Sequence, residues 1–357
     1  MKAEDNEKSM EATASIDNDG HETVGRQRSR GEMWKRFAIR YGFLIVMAGL
    51  FAYFSITEPA FFTPGNLFSM LLGVTVYGIL ALGVTFPLVA DDVPDLSIGG
   101  VAALTVMISA YLMIVMETST LFAITFCLVL AALVGLINGL LVVKVKIPGL
   151  LATLGMMFIA QGLQLIPSGG RSVGRGAVLA GGVTAEGQFS DAFLFLGQGR
   201  VFGVIPTPVL IMLALAVLVY LVLSRSRWGR VFYAIGSNAE AARLVGAKVD
   251  RYRIMAYVLS GTIAGIGGIV LAARVGRGDV QSGGTLLLDA IGSALIGFAV
   301  LGVRRPNPFG TIVGAIFIGM LLNGLTMQGM QYFVQDFIKG IVLVAALAFT
   351  FGLSKVK

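Results

Sequence analysis

The chain has 357 residues, 56% of them hydrophobic and only 13% charged, with a formal net charge of +7. Average soluble domains carry roughly 25% charge, so the composition excludes a cytosolic protein. Eight basic and eight acidic side chains sit in residues 1–40, which leaves about one charged residue in ten along the rest. At about 20 apolar residues per crossing, the remainder supplies around ten membrane spans and leaves no room for a large catalytic domain. The single cysteine, Cys127, rules out a disulfide framework and a CxxC site, and reads as a small buried hydrophobe in an apolar run. The single histidine, His21, lies in the polar N-terminal stretch, so the membrane body has no His-based zinc site or His-dependent triad and is not expected to be an enzyme.

In chain order, residues 1–40 read as a disordered cytoplasmic tail ahead of a transmembrane domain at 41–354. Stretches free of Asp, Glu, Lys and Arg cover 41–57, 59–90, 96–116, 118–143, 147–170, 201–224, 254–273 and 306–335. Two more spans, 280–303 and 335–354, follow once Asp289, Asp336 and Lys339 are allowed inside. In the long run from 306, the polar stretch Thr326–Gln331 predicts a turn after about Leu325. Lysine and arginine favour the cytoplasmic side of short loops. An N-in, C-in arrangement places there the tail, Lys144, Lys146, seven basic residues of 225–253, Arg304, Arg305, Lys355 and Lys357. The outer side receives Arg171, Arg175, Arg200, Arg274 and Arg277. The positive charge is thus mostly a topology signal, and nucleic acid drops out as a partner.

Glycine, at 47 residues, is nearly twice as frequent as usual, as expected where helices approach closely in lipid. Gly261, Gly265, Gly267 and Gly268 illustrate this; Val270 occupies the position a GxGxxG motif would give to glycine, and no P-loop occurs. Asp95-Leu-Ser-Ile-Gly-Gly is echoed by Asp289-Ala-Ile-Gly-Ser, and Asn138-Gly-Leu by Asn323-Gly-Leu, each five spans later. An odd offset means opposite crossing directions, so the pattern predicts two inverted five-helix repeats.

The stretch Pro87–Pro94, with Asp91, Asp92 and then Asp95, has two readings. It is either a cytoplasmic turn with solvated carboxylates, or a broken helix beside the translocation path in which Ser97 caps the next helix. Lys339 is expected to pair with Asp336 or to snorkel to an interface. Candidate path residues are the sparse polar groups of the spans, Asp95, Ser97, Asn138, Thr153, Gln161, Asp289 and Asn323, with Gln164 beside them; for each, bonding to a neighbouring helix is the competing reading. So weakly polar a lining suits a small neutral solute such as a monosaccharide.

The 225–253 loop has its own order. Ser237 or Asn238 caps a short helix, Glu240 lies in its first turn and Gly246 ends it. Glu240-Ala241-Ala242-x-x-x-Gly246 resembles the ATPase-docking EAA loop of ABC importer permeases. Asp95–Gly99, Ala152–Met157, Gly162-Leu163, Ser168–Arg171 and Gly236-Ser237-Asn238 occur in the order found in ribose/xylose/galactoside-type sugar permeases, and the resemblance spans roughly 60–352. The chain departs from that family's glycine-rich turn before the Asp-Leu-Ser motif, with Asp91-Asp92-Val93-Pro94 in its place, and lacks the LP end of the longer EAA consensus.

The resemblance implies a permease subunit in the bacterial inner membrane, paired with a second permease, homodimeric or heterodimeric. It implies a cytoplasmic ABC ATPase that carries ATP and magnesium, and a periplasmic or lipid-anchored substrate-binding protein. Coupling would fall to Asn238, Glu240, Ala241, Ala242, Arg243 and Gly246; Arg243, Arg251 and Arg253 have two readings, contact with acidic groups of the ATPase, or topology and lipid headgroups alone. The loop 167–206, with Arg171, Arg175, Glu186, Asp191 and Arg200, would receive the binding protein. The rival reading is a secondary transporter or channel without an ATPase.

Overall fold

The computed structural model describes residues 14–16, 22–24, 30–91, 93–298 and 305–352, with backbone only for 14–16, 22–24, 30–40, Thr285 and 346–352. Asp92, Arg304, Lys355 and Lys357 lie outside the described residues. So does the 1–40 tail, apart from a short pairing of Ala14–Ile16 with Glu22–Val24 and the start of helix α1, Arg30–Thr57. The helix therefore begins before the expected residue 41, because Trp34, Phe37, Ala38 and Ile39 already continue its apolar pattern.

The chain is all-α and polytopic. The helices that follow are α2 Pro64–Asp91, α3 Ile98–Ala110, α4 Thr120–Val143, α5 Gly149–Leu165, α6 Asp191–Gln198, α7 Thr207–Tyr220, α8 Arg227–Ser237, α9 Ala239–Leu244, α10 Val249–Val275, α11 Gly284–Ile296, α12 Pro308–Met327 and α13 Tyr332–Gly352. π-turns extend α3 to Val115 and α7 to Arg225. Among the described residues, six helices are long and apolar enough to cross a membrane, namely α2, α3, α4, α7, α10 and α12 with their extensions. The stretches 41–57, 149–165 and 286–296 are shorter apolar helices.

Pro87 does not break α2, contrary to the sequence expectation. Proline removes one backbone donor and crowds the carbonyl four residues earlier; here it sits one turn from the helix end, so little helix remains beyond the disturbance. The helix stops at Asp91 instead. The turn after Leu325 falls as expected, but α13 starts at Tyr332 rather than Gln335.

Helices α2, α3, α10 and α12 form the buried middle, and α4 and α7 present most of their apolar surface outward. That inversion of soluble-protein logic is what lipid permits. Close approach is made by glycine. A methyl group on Gly139 of α4 would lie 2.8 Å from the Cα of Ile254 on α10, and one on Gly261 of α10 would lie 2.5 Å from the carbonyl of Ala131 on α4. Gly135 meets the Tyr257 carbonyl even more closely. Cys127 is fully buried as a core hydrophobe. Between α5 and α7, residues 173–193 build a small core of their own over α3 and the end of α10 from Val173, Leu179, Ala185, Phe189 and Phe193.

Gly139→Leu is expected to cost about 1–3 kcal/mol through overpacking and to lower the unfolding temperature of the detergent-solubilised chain. Gly49→Ala, where nothing lies within 4 Å, should leave that temperature unchanged or raise it.

Candidate functional site

The turn between α2 and α3 is anchored inside the protein. Asp95 is fully buried. Its Oδ1 accepts from the Ser97 amide at 2.9 Å and the Ser97 hydroxyl at 2.6 Å, and its Oδ2 accepts from the Ser260 hydroxyl of α10 at 2.8 Å. Asn138 Nδ2 of α4 donates to Ser97 Oγ at 2.8 Å, while Asn138 Oδ1 is buried with no hydrogen-bond partner. Burying a carboxylate is costly unless donors replace its water, and this arrangement supplies them from the turn itself and from α10. The expected cap is corrected: Ser97 makes no side-chain cap to α3, because its hydroxyl is committed to Asp95.

One helical turn away lies a second polar contact. Arg253 Nη2 is 3.0 Å from Asp91 Oδ1, and the Tyr257 hydroxyl donates to Asp91 Oδ2 at 3.2 Å. Arg253, Tyr257 and Ser260 occupy one face of α10 at helical spacing, so this helix holds both Asp91 and Asp95. The solvated-turn reading of Asp91 and Asp95 is thereby overturned; Asp92 lies outside the described residues.

The remaining sequence candidates do not join this cluster. Asn323 exchanges paired hydrogen bonds with Asn66 at 2.9 and 3.0 Å, which ties α12 to α2. Thr153 is buried and donates to the Gly149 carbonyl of its own helix, and Gln161 is partly exposed on α5. Gln164 is buried and donates to the Val280 carbonyl. Asp289 is buried on α11, its carboxylate 2.7 Å from Lys339 Nζ, which also lies 3.0 Å from Asp336. Lys339 thus pairs rather than snorkels. Lys339 and Asp336 border a cleft of about 400 Å³ between α11, α12 and α13 that also includes Gly292, Phe317 and Leu321.

At the end where α2 stops and α5 and α10 begin, the 225–253 loop forms two helices rather than one. Asn238, not Ser237, caps α9 by accepting from the Ala241 amide at 2.9 Å, and Gly246 follows it with φ +88°. Ala242 is buried against Ile235 of α8 and Val249 of α10, and Glu240 and Ala241 are exposed. Leu244 and Val245 are 89% and 86% exposed, an apolar pair with nothing over it. Arg253 turns to Asp91 and is drawn partly inside, whereas Arg243, 3.0 Å from Asp250, and Arg251 stay exposed. At the opposite end of α10, Arg171, Arg175, Glu186, Asp191 and Arg200 are all exposed around the 167–206 segment.

Residues 66–347 match the family described as "Branched-chain amino acid transport system / permease component". The chain is 33% identical over 304 residues to the ribose import permease protein RbsC of Escherichia coli (strain K12), an alignment covering 85% of this chain and 91% of that protein. It is 31% identical over 326 residues to the L-arabinose ABC transporter permease protein AraH of Azospirillum brasilense, covering 91% of each. The chain belongs to the ABC importer permease family. Identity to the L-arabinose transport system permease protein AraH of Escherichia coli (strain K12) is 31% over 340 residues, covering 94% of this permease and 96% of that one. No solved structure matches. The permease is accordingly a multi-pass membrane protein.

Sequence reasoning missed Tyr257, Ser260 and Asn66 in this permease. The first two could have been found as polar positions four and seven residues beyond Arg253 on an otherwise apolar helix; Asn66, at a helix start, carried no such signal. Ser260→Ala leaves Asp95 Oδ2 without its donor from α10 and is expected to cost about 1–3 kcal/mol, read as a lowered midpoint of thermal unfolding in detergent. Ser260→Thr, which restores the hydroxyl, should recover most of that loss.

Proposed function

We propose that this permease imports a monosaccharide as the membrane half of an ATP-driven complex. Ten spans run N-in and C-in, being the six long helices with α1, α5, α11 and α13. They form two inverted five-helix repeats, α1 to α5 and α7 with α10 to α13. Helix packing supports the repeat: α2 lies against α12 as α10 lies against α4, and α2 against α11 as α10 against α3. The motif pairs that suggested the repeat are less equivalent than the helices, since Asp95 precedes α3 while Asp289 lies within α11.

The observation that carries the reading is α9. It is a short capped helix, fixed from beneath by Ala242, that holds Glu240 and the uncovered pair Leu244 and Val245 at the cytoplasmic end. Exposed apolar groups on a rigid element, rimmed by charge, suit a protein partner, and the partner proposed is an ABC ATPase that binds ATP and magnesium. A second permease copy or homologue completes the pore, and a substrate-binding protein docks on the 167–206 segment. ATPase closure pushes α9 and rocks the repeats between outward and inward openings. A sugar suits the interior better than an amino acid. A zwitterion gains most from charged partners, whereas the side chains of Asp95, Asp289 and Lys339 are already engaged within the protein; the relatives named for ribose and arabinose point the same way.

Glu240→Arg and Gly246→Trp should each reduce solute-stimulated ATP hydrolysis of the assembled complex by about tenfold or more, the loss expected when a central contact residue is broken. Membrane levels of the chain should stay unchanged. Undiminished stimulated hydrolysis in both variants would remove α9 from the ATPase interface.

A further inference from the structure

Asp91 stands where four elements meet. It is the last residue of α2, and two residues earlier the Val89 carbonyl lies directly against Gly236 of α8, so closely that no Cβ fits at 236. On its other side the carboxylate is held by Arg253 and Tyr257 of α10. The N-terminus of α5 closes the group: a methyl on Gly149 would lie 2.7 Å from the Tyr257 hydroxyl and 2.9 Å from Val93 of the turn. The Asp91 side chain is 13% exposed and that of Arg253 32%, so solvent screens the pair incompletely. Arg253 Nε is buried with no acceptor. The segment that leads to the buried Asp95 is thus clamped to α10 by a charge pair and abutted by α8, the helix that leads into α9.

We propose that Asp91 and Arg253 are positioning residues for transport, and that their ion pair transmits the displacement of α8 and α9 to the turn before α3 and the start of α5. This rests on the reading of α9 as the ATPase contact. Rigid packing at Gly236 passes the push to the end of α2, and the pair makes that end and α10 move as one body instead of slipping past each other. Tyr257 supports the same carboxylate from α10, and Ser260 holds Asp95 on the same face, so turn and helix travel together. Without the pair, α9 would still receive the ATPase, but its motion would not reach the turn.

The test follows the turn itself, in the full complex with its ATPase. A Val93→Cys reporter lies beside Gly149, and Cys127 is buried. The maleimide-labelling rate of the reporter is compared between nucleotide-free complex and complex trapped with ATP and vanadate. The expected result is a nucleotide-dependent change of about fivefold or more, the lower range of allosteric coupling, that falls below about twofold in Asp91→Asn and Arg253→Gln and is kept in Arg253→Lys. The double variant Asp91→Asn/Arg253→Gln should be no worse than either single, since paired residues lose their interaction once. ATPase association, measured by co-purification, should be unchanged in all of them. Retention of the full change in the single variants overturns the inference, as does a double variant that adds the two losses or a reporter that ignores nucleotide altogether. A complex that never assembles, with the unmodified chain binding no ATPase, overturns instead the reading of α9.

Discussion

A carboxylate inside a membrane protein must be given donors, and the way Asp95 obtains its donors organises the structure. Two come from Ser97 within the turn and one from Ser260 on α10, while Asn138 on α4 steadies Ser97. The buried charge therefore forces three chain segments, far apart in sequence, into one register. Glycine makes that register reachable: Gly135, Gly139 and Gly261 bring the α4 and α10 backbones together, and Asn138 of α4 and Ser260 of α10 then reach the same turn. Neither device is sufficient alone, because without hydrophobic drive between helices close packing must be specified, and without close packing the carboxylate would lack its donor from α10.

Once α10 is fixed, other features follow from its length. Its face at Arg253, Tyr257 and Ser260 holds the α2 end and the turn, its opposite end lies under α6, and its start continues from α9. One helix thus runs from the proposed ATPase contact to the surface proposed for a binding protein. Most polar side chains inside are hydrogen-bonded within the chain, with Asn138 Oδ1 left over; in the proposed import, uncharged groups of this kind would meet a neutral hydroxylated solute.

The hydrophobic runs made the helices legible, since length and lack of charge are local properties. Side-chain destinations were less legible. Arg253 follows a basic loop and reads as outward charge, yet Asp91 takes it inward, and a pairing across more than 160 residues leaves no trace in local pattern; Arg243 pairs with Asp250 and stays exposed. Pro87 signals a helix stop in the sequence, yet α2 runs one turn beyond it, to Asp91. Asn323 and Asn138 share a motif but not a role, since one meets Asn66 and the other Ser97. Within the proposed coupling segment, by contrast, Asn238, Glu240 and Gly246 were readable from spacing, because helix capping is settled within a few residues.

In the proposed import the chain moves its solute only when an ATPase pushes on α9. This dependence is tested most directly by counting radiolabelled ribose and arabinose accumulated in proteoliposomes that contain the permease and its binding protein, with and without the cognate ATPase and enclosed ATP. Accumulation of at least one of these sugars is expected only when the ATPase and ATP are both present, and none under an imposed proton or sodium gradient alone. Accumulation driven by either gradient without the ATPase would contradict that dependence.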